Sequence, residues 1–97
     1  MDKKAAEKAH FKKRVKERLG VDINRVNIIN LVNDIMSGDN VIQSYKITNR
    51  KSIYDIIFMK TRCFVFFDHN RRVPITVYSK DMGIENVLKK LEDDNNG

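Results

Sequence analysis

Cysteine, histidine and proline are scarce in this chain, and each scarcity narrows what it can be. One cysteine, Cys63, in 97 residues leaves no partner for an internal disulfide. It lies in an apolar run, where a small buried thiol is the expected role. Only two histidines accompany it, His10 and His69, so no structural zinc set is present, and no metal or other cofactor is expected. The single proline, Pro74, lacks a backbone donor and marks its strand as an edge strand or one with an unpaired N–H side. No apolar run approaches the ~18 residues of a membrane span. Ala5, Ala6 and Ala9 are interrupted by charges, so no secretory leader is expected. Glu7 and Glu17 argue against an organelle transit peptide, and the chain reads as cytoplasmic. Repeats, linkers and low-complexity segments are lacking in its body.

What is there is enough for one folded domain with a modest core. Hydrophobic residues make up 41%, including five Phe and three Tyr, which favours a globule over a disordered chain. The formal charge is +6 and unevenly spread. Residues 1–20 hold eight Lys or Arg against three Asp or Glu, whereas residues 81–97 hold two against five. A second basic cluster surrounds Arg62, Arg71 and Arg72. Two separated basic clusters suit a polyanion, with nucleic acid the first candidate.

The first twenty residues carry the most information. Read as a helix, Phe11, Val15 and Leu19 form an apolar stripe. His10, Arg14 and Glu17 share the flank beside it, and Arg18 sits at its edge. A titratable imidazole beside fixed cations is a proton-transfer group next to charge stabilisers, as chemistry on a phosphate requires. The same pattern also describes a solvated basic helix face, and that reading stays open. Arg14 and Arg18 are expected to matter more for RNA than Lys89 and Lys90, which lie in the acidic segment.

Hydropathy predicts a single α+β domain over residues 1–91: two N-terminal helices packed on a four-stranded antiparallel sheet, then a short C-terminal helix. The first helix spans Lys3 to Leu19, followed by Gly20 as its C-terminal stop. Asp22 or Asn24 caps the second, which runs to about Ser37 with Ile28, Leu31, Val32 and Ile35 on one face. Strands are expected at Val41–Ile47, Ile53–Lys60, Arg62–Asp68 and Val73–Tyr78, with loops at Thr48–Ser52 and Asp68–Arg72. Lys60-Thr61-Arg62 has neither Gly nor Asn, which leaves the register of that hairpin open. Ile84, Val87, Leu88 and Leu91 mark the last helix, and the acidic tail 92–97 is expected to be disordered. The middle strands are apolar on both faces and call for cover on both. The last helix looks too short to hide its face, so a spare apolar sheet surface is expected, open or covered by a partner.

His10-Phe11-Lys12-Lys13-Arg14, Glu17-Arg18-Leu19-Gly20 and Val73-Pro74-Ile75-Thr76-Val77-Tyr78 together resemble the barnase–colicin–RelE superfamily. The likeness is to its small toxin-type and phage-borne members with a helical N-terminal half, over about residues 9–78. It implies metal-independent RNA cleavage, in which the ribose 2′-OH attacks the adjacent phosphate. Carried over, His10 is the proton-transfer group, Arg14 a phosphate ligand and Thr76 a hydroxyl of the last strand. The acidic C-terminus departs from ribosome-dependent relatives, which keep basic or tyrosine residues there.

Arg18, from helix geometry, joins Lys13, Arg71 and Arg72 as a nucleic-acid contact. His69 reads as a base, a phosphate contact or a hairpin-tip residue with no fixed role. Tyr45, Tyr54 and Tyr78 read as base-stacking or core residues. Three function classes follow: a small ribonuclease, a non-catalytic RNA- or DNA-binding regulator, and an inhibitor that docks on a protein. RNA is the expected partner, with a host protein or antitoxin on the spare sheet face as the alternative, and the chain is a monomer or homodimer.

Overall fold

A computed structural model describes residues 3–96, with side-chain surroundings over 8–92. Helix α1 spans Lys3–Leu19 and α2 Arg25–Ser37; strands β1 Val41–Lys46, β2 Lys51–Phe58, β3 Thr61–Asp68 and β4 Val73–Ser79 follow. A single 3-10 turn, Lys80–Met82, leads into α3, Ile84–Asn96. The fold is α+β, and its strands form one antiparallel sheet in the order β1-β2-β3-β4. None of the described helices is long and apolar enough to cross a membrane.

Local chemistry sets the helix ends. Gly20, at φ 72°, takes the left-handed conformation that stops α1 and donates its N–H to the Lys16 carbonyl at 3.0 Å. Asn24, not Asp22, caps α2: its side chain accepts from the Asn27 N–H while the Asn27 side chain accepts from the Asn24 N–H, both at 2.9 Å. Asp22 instead pairs with Lys16 across the turn at 3.1 Å.

Both helices pack on one sheet face. Phe11 and Val15 of α1 and Ile28, Leu31 and Ile35 of α2 bury against Ile56, Phe58, Cys63, Val65, Phe67 and Val77. Burial pushes the Cys63 thiol up to about 12, with the Asp55 charge adding to it, so the sulfur is a core atom and not a nucleophile.

The opposite face corrects the sequence reading. Ile53, Phe64, Phe66 and Tyr78 are all buried there beneath Val87 and Leu91 of α3, with Tyr45, Ile47, Met82 and Ile84 filling the margins. The expected spare apolar sheet face is therefore covered from within the chain. A helix of three turns suffices because the 3-10 turn and β1 supply the rest of the cover. The α3 backbone also continues past Leu91 to Asn96, while the final residue of the acidic tail, Gly97, lies outside the described residues. Two carboxylates on this face are buried, Asp55 and Asp68, and Arg62 clamps Asp55 with Nε and Nη2 at 3.0 and 2.9 Å. That hydrogen bonding and charge hold the Arg62 guanidinium above its ordinary pKa.

The hairpin left open by sequence resolves into an unusual turn. Phe58 pairs with Thr61, leaving Met59-Lys60 as a two-residue loop, and both residues are left-handed at φ 52° and 61°. Such a turn matches the sheet's twist and ordinarily recruits Asn-Gly. Counting back from it puts Lys51 opposite Asp68, so β2 starts two residues before the expected Ile53. Left-handed backbone costs an L-residue roughly 1–2 kcal/mol. Replacing Met59 with Asn and Lys60 with Gly should therefore raise unfolding free energy by about 1–2 kcal/mol. A higher urea midpoint at unchanged slope is the expected readout; an unchanged midpoint would mean that the turn carries no such strain.

Candidate functional site

β4 is an edge strand with α1 packed against it, and the site is built along this seam. Pro74, which has no N–H to donate, is tolerated because of that edge position. Between Phe66↔Thr76 and Phe67↔Pro74 the register slips by one residue at Ile75. A bulge of this kind re-aims the following side chain. Thr76 therefore lies opposite Phe66, on the sheet face that α3 covers in part.

Arg18 fastens the helix to this strand. Its Nη1 donates to Thr76 Oγ1 and to the Val77 carbonyl, each at 2.9 Å, and its Cζ stands 4.5 Å from the centre of the Tyr78 ring. One guanidinium thus meets a hydroxyl, an edge carbonyl and an aromatic face. With Arg18 held, Arg14 and His10 follow at successive turns along the same seam.

A cleft of about 380 Å³ opens there, lined by His10, Arg14, Lys51, Asp68, Arg71, Ile75 and Thr76. His10, Arg14 and Thr76, the three residues that the sequence singled out for chemistry, thus line one cavity despite a separation of 66 positions between the first and last. Arg71 joins them from the β3–β4 turn. Asp68 shapes that turn, with Oδ1 accepting the N–H groups of Asn70 at 2.9 Å and Arg71 at 3.2 Å. The lining holds three cations, Arg14, Lys51 and Arg71, and one buried carboxylate, Asp68. Arg14 is held by Glu17 at 2.9 Å, with both side chains more than two-fifths exposed, so the pair is a weak one. His10 is exposed.

Other candidates lie elsewhere. Lys13 is exposed and outside the cleft lining. Arg72 is left-handed at φ 53°, which turns the chain so that Arg71 and Arg72 part company. Arg72 lines a smaller groove of about 160 Å³ with Lys8, Ile29 and Pro74, beside α2. Arg18 is engaged with β4 and does not line the cleft. His69 has a fixed place after all: Nε2 lies 2.9 Å from the Tyr54 hydroxyl, and its ring packs edge-on against Phe67 at 5.2 Å. The Tyr54 ring is partly buried against the core, edge-on to Phe67 at 6.1 Å, and burial raises its phenol.

Sequence reasoning missed Lys51 and Asp68. Both follow from the register of the Met59-Lys60 hairpin, the one hairpin for which no Asn or Gly signal was present. Among the described residues no group of three or more His, Cys, Asp or Glu is placed to hold a metal ion.

Comparison with protein-family models finds no match for this chain, and neither the curated proteins nor the solved structures yield one.

The cleft residues divide into those that hold the fold and those that do not. Asp68→Ala frees two turn N–H groups and should cost about 1–3 kcal/mol. His10→Ala, at an exposed helix position, should stay within about ±0.5 kcal/mol. Paired urea titrations measure both, and a large loss for His10→Ala would make His10 a packing residue.

Proposed function

We propose that this protein binds RNA in the His10–Arg14–Thr76 cleft and cleaves it as a small endoribonuclease. The observation that carries the reading is the convergence of His10, Arg14 and Thr76 from opposite ends of the chain on one cationic cavity. The resemblance of the same three residues to the barnase–colicin–RelE superfamily supports it. A cytoplasmic, toxin-like and phage-borne protein is the setting that the resemblance implies.

The chemistry is an internal transesterification that needs no cofactor. His10 accepts the proton of a ribose 2′-OH, and the freed oxygen attacks the adjacent phosphorus. The bond from phosphorus to the 5′ oxygen breaks, and that oxygen takes a proton from water and leaves as a hydroxyl, while the proton on His10 returns to solvent. The products are a 2′,3′-cyclic phosphate and a 5′-OH. Arg14, Arg71 and Lys51 meet the negative charge that grows on the non-bridging oxygens. Thr76 Oγ1 already accepts from Arg18, so its own hydrogen is directed elsewhere and can bond a phosphate oxygen.

The reading is tested by incubating structured and unstructured RNA with the protein in EDTA and analysing the ends formed. Cyclic-phosphate ends are expected from wild type, and a 2′-deoxy substitution at the cleaved position should block the cut. His10→Ala should lower the rate on the order of 10²–10⁴-fold while remaining folded. Binding should weaken steeply with salt, since neutralised phosphates release counterions. RNA bound but never cut would leave a non-catalytic regulator. A chain with no RNA affinity even at low salt would instead fit an inhibitor that docks on a protein.

A further inference from the structure

Beside the cleft lies a second cavity of about 340 Å³, lined by Arg18, Tyr78, Ser79, Met82 and Lys90. The Arg18–Thr76 hydrogen bond joins the two cavities: Thr76 lines the first and Arg18 the second. The steps on either side of this seam match. Thr76 and Tyr78 are two residues apart on one strand face, a rise of about 6–7 Å. Arg14 and Arg18 are four residues apart on α1, a rise of about 6 Å. Each cavity falls within the roughly 300–1,000 Å³ of small-ligand sites.

Arg18 is set up to serve this second cavity. Its Nη1 is spent on Thr76 and Val77, whereas Nε and Nη2 have no hydrogen-bond partner among the described residues. Tyr78, 2% exposed, is sealed beneath the guanidinium and has no ring face left for a base. The stacking surface is therefore the guanidinium plane itself, a surface on which unstacked bases pack, with Met82 beside it. Lys90 supplies a cation to the lining from α3. Its neighbour Leu91 is buried against the sheet, and Lys90 lines the cavity with Arg18 despite the acidic sequence around it.

We propose that a single-stranded RNA runs from the first cavity into the second, where Arg18 takes the neighbouring base and Lys90 the next phosphate. The proposal rests on the RNA reading of the cleft and names its substrate class: an extended single strand of more than two nucleotides. A duplex does not fit, because its bases are paired and stacked away from both walls.

The test uses labelled 2′-O-methyl oligoribonucleotides, which lack the attacking hydroxyl, as a dinucleotide and a tetranucleotide. Anisotropy titrations across a salt series give the slope of log affinity against log salt for wild type, Lys90→Glu and Lys89→Glu. Lys89 is exposed and adjacent but does not line the cavity, so its reversal makes the same change in net charge. Lys90→Glu should flatten the tetranucleotide slope by about 0.7, one phosphate contact of a single strand, and leave the dinucleotide slope unchanged. Lys89→Glu should leave both slopes near wild type. Equal effects of the two reversals, or equal loss on both oligonucleotides, would overturn the second site. A wild-type protein that cleaves RNA and shows no slope change in Lys90→Glu removes this inference alone. One that binds no RNA removes the cleft reading with it.

Discussion

The seam between α1 and β4 depends on one side chain. Arg18 donates to the Val77 carbonyl on the outer edge of β4, where no further strand pairs. The same nitrogen holds Thr76, and the guanidinium lies over Tyr78. An edge strand left bare is a template for association with other chains. Here the helix occupies the edge, and in doing so it fixes which residues of α1 stand beside which residues of β4. His10 and Arg14 line one cleft with Thr76, and Arg18 holds the helix there together with Phe11 and Val15, which bury against the sheet.

Two acidic residues share the work of keeping this surface cationic. Asp55 is buried and clamped by Arg62, so both charges are consumed at the far end of the β2–β3 hairpin. Asp68 is turned inward on the backbone of its own loop. Arg14, Lys51 and Arg71 line the cleft together with Asp68, and Arg14 is paired with Glu17 at 2.9 Å. Formal net charge understates the effect, because part of the acidic total lies in the segment after Asp81.

The helices, their stops and the antiparallel order were legible because each rests on local chemistry. The stripe of Phe11, Val15 and Leu19, the choice of cap between Asp22 and Asn24, and the glycine at 20 each speak for themselves, whereas the reciprocal Asn27 bond shows only in the structure. The pairing of His10 with Arg14 was legible for the same reason, as a matter of helical spacing. Thr76 came from resemblance alone; its orientation depends on the bulge at Ile75, which no local pattern announces. Lys51 and Asp68 were hidden behind a turn made of Met59 and Lys60, residues that ordinarily avoid left-handed backbone. The burial of the second sheet face was misjudged for another reason. Cover was counted from α3 alone, whereas Tyr45, Ile47 and Met82 complete it from three other segments.

The two edges of the sheet also differ in a way that explains where a site can form. At β1 the outer strand exposes Ile42, Gln43, Ser44 and Lys46, and no helix crosses it in the way that α1 crosses β4. Its pairing with β2 slips in register between Val41 and Gln43. At β4 a helix, a bulge and the β3–β4 turn meet: the helix brings Arg14, the turn brings Arg71, and the strand after the bulge brings the Thr76 hydroxyl that Arg18 holds. Concavity requires walls, and walls around a sheet face arise where a helix overhangs an edge. Covering the edge with a basic helix thus meets two needs together: it blocks pairing with other strands and places a row of cations above the strand that carries Thr76.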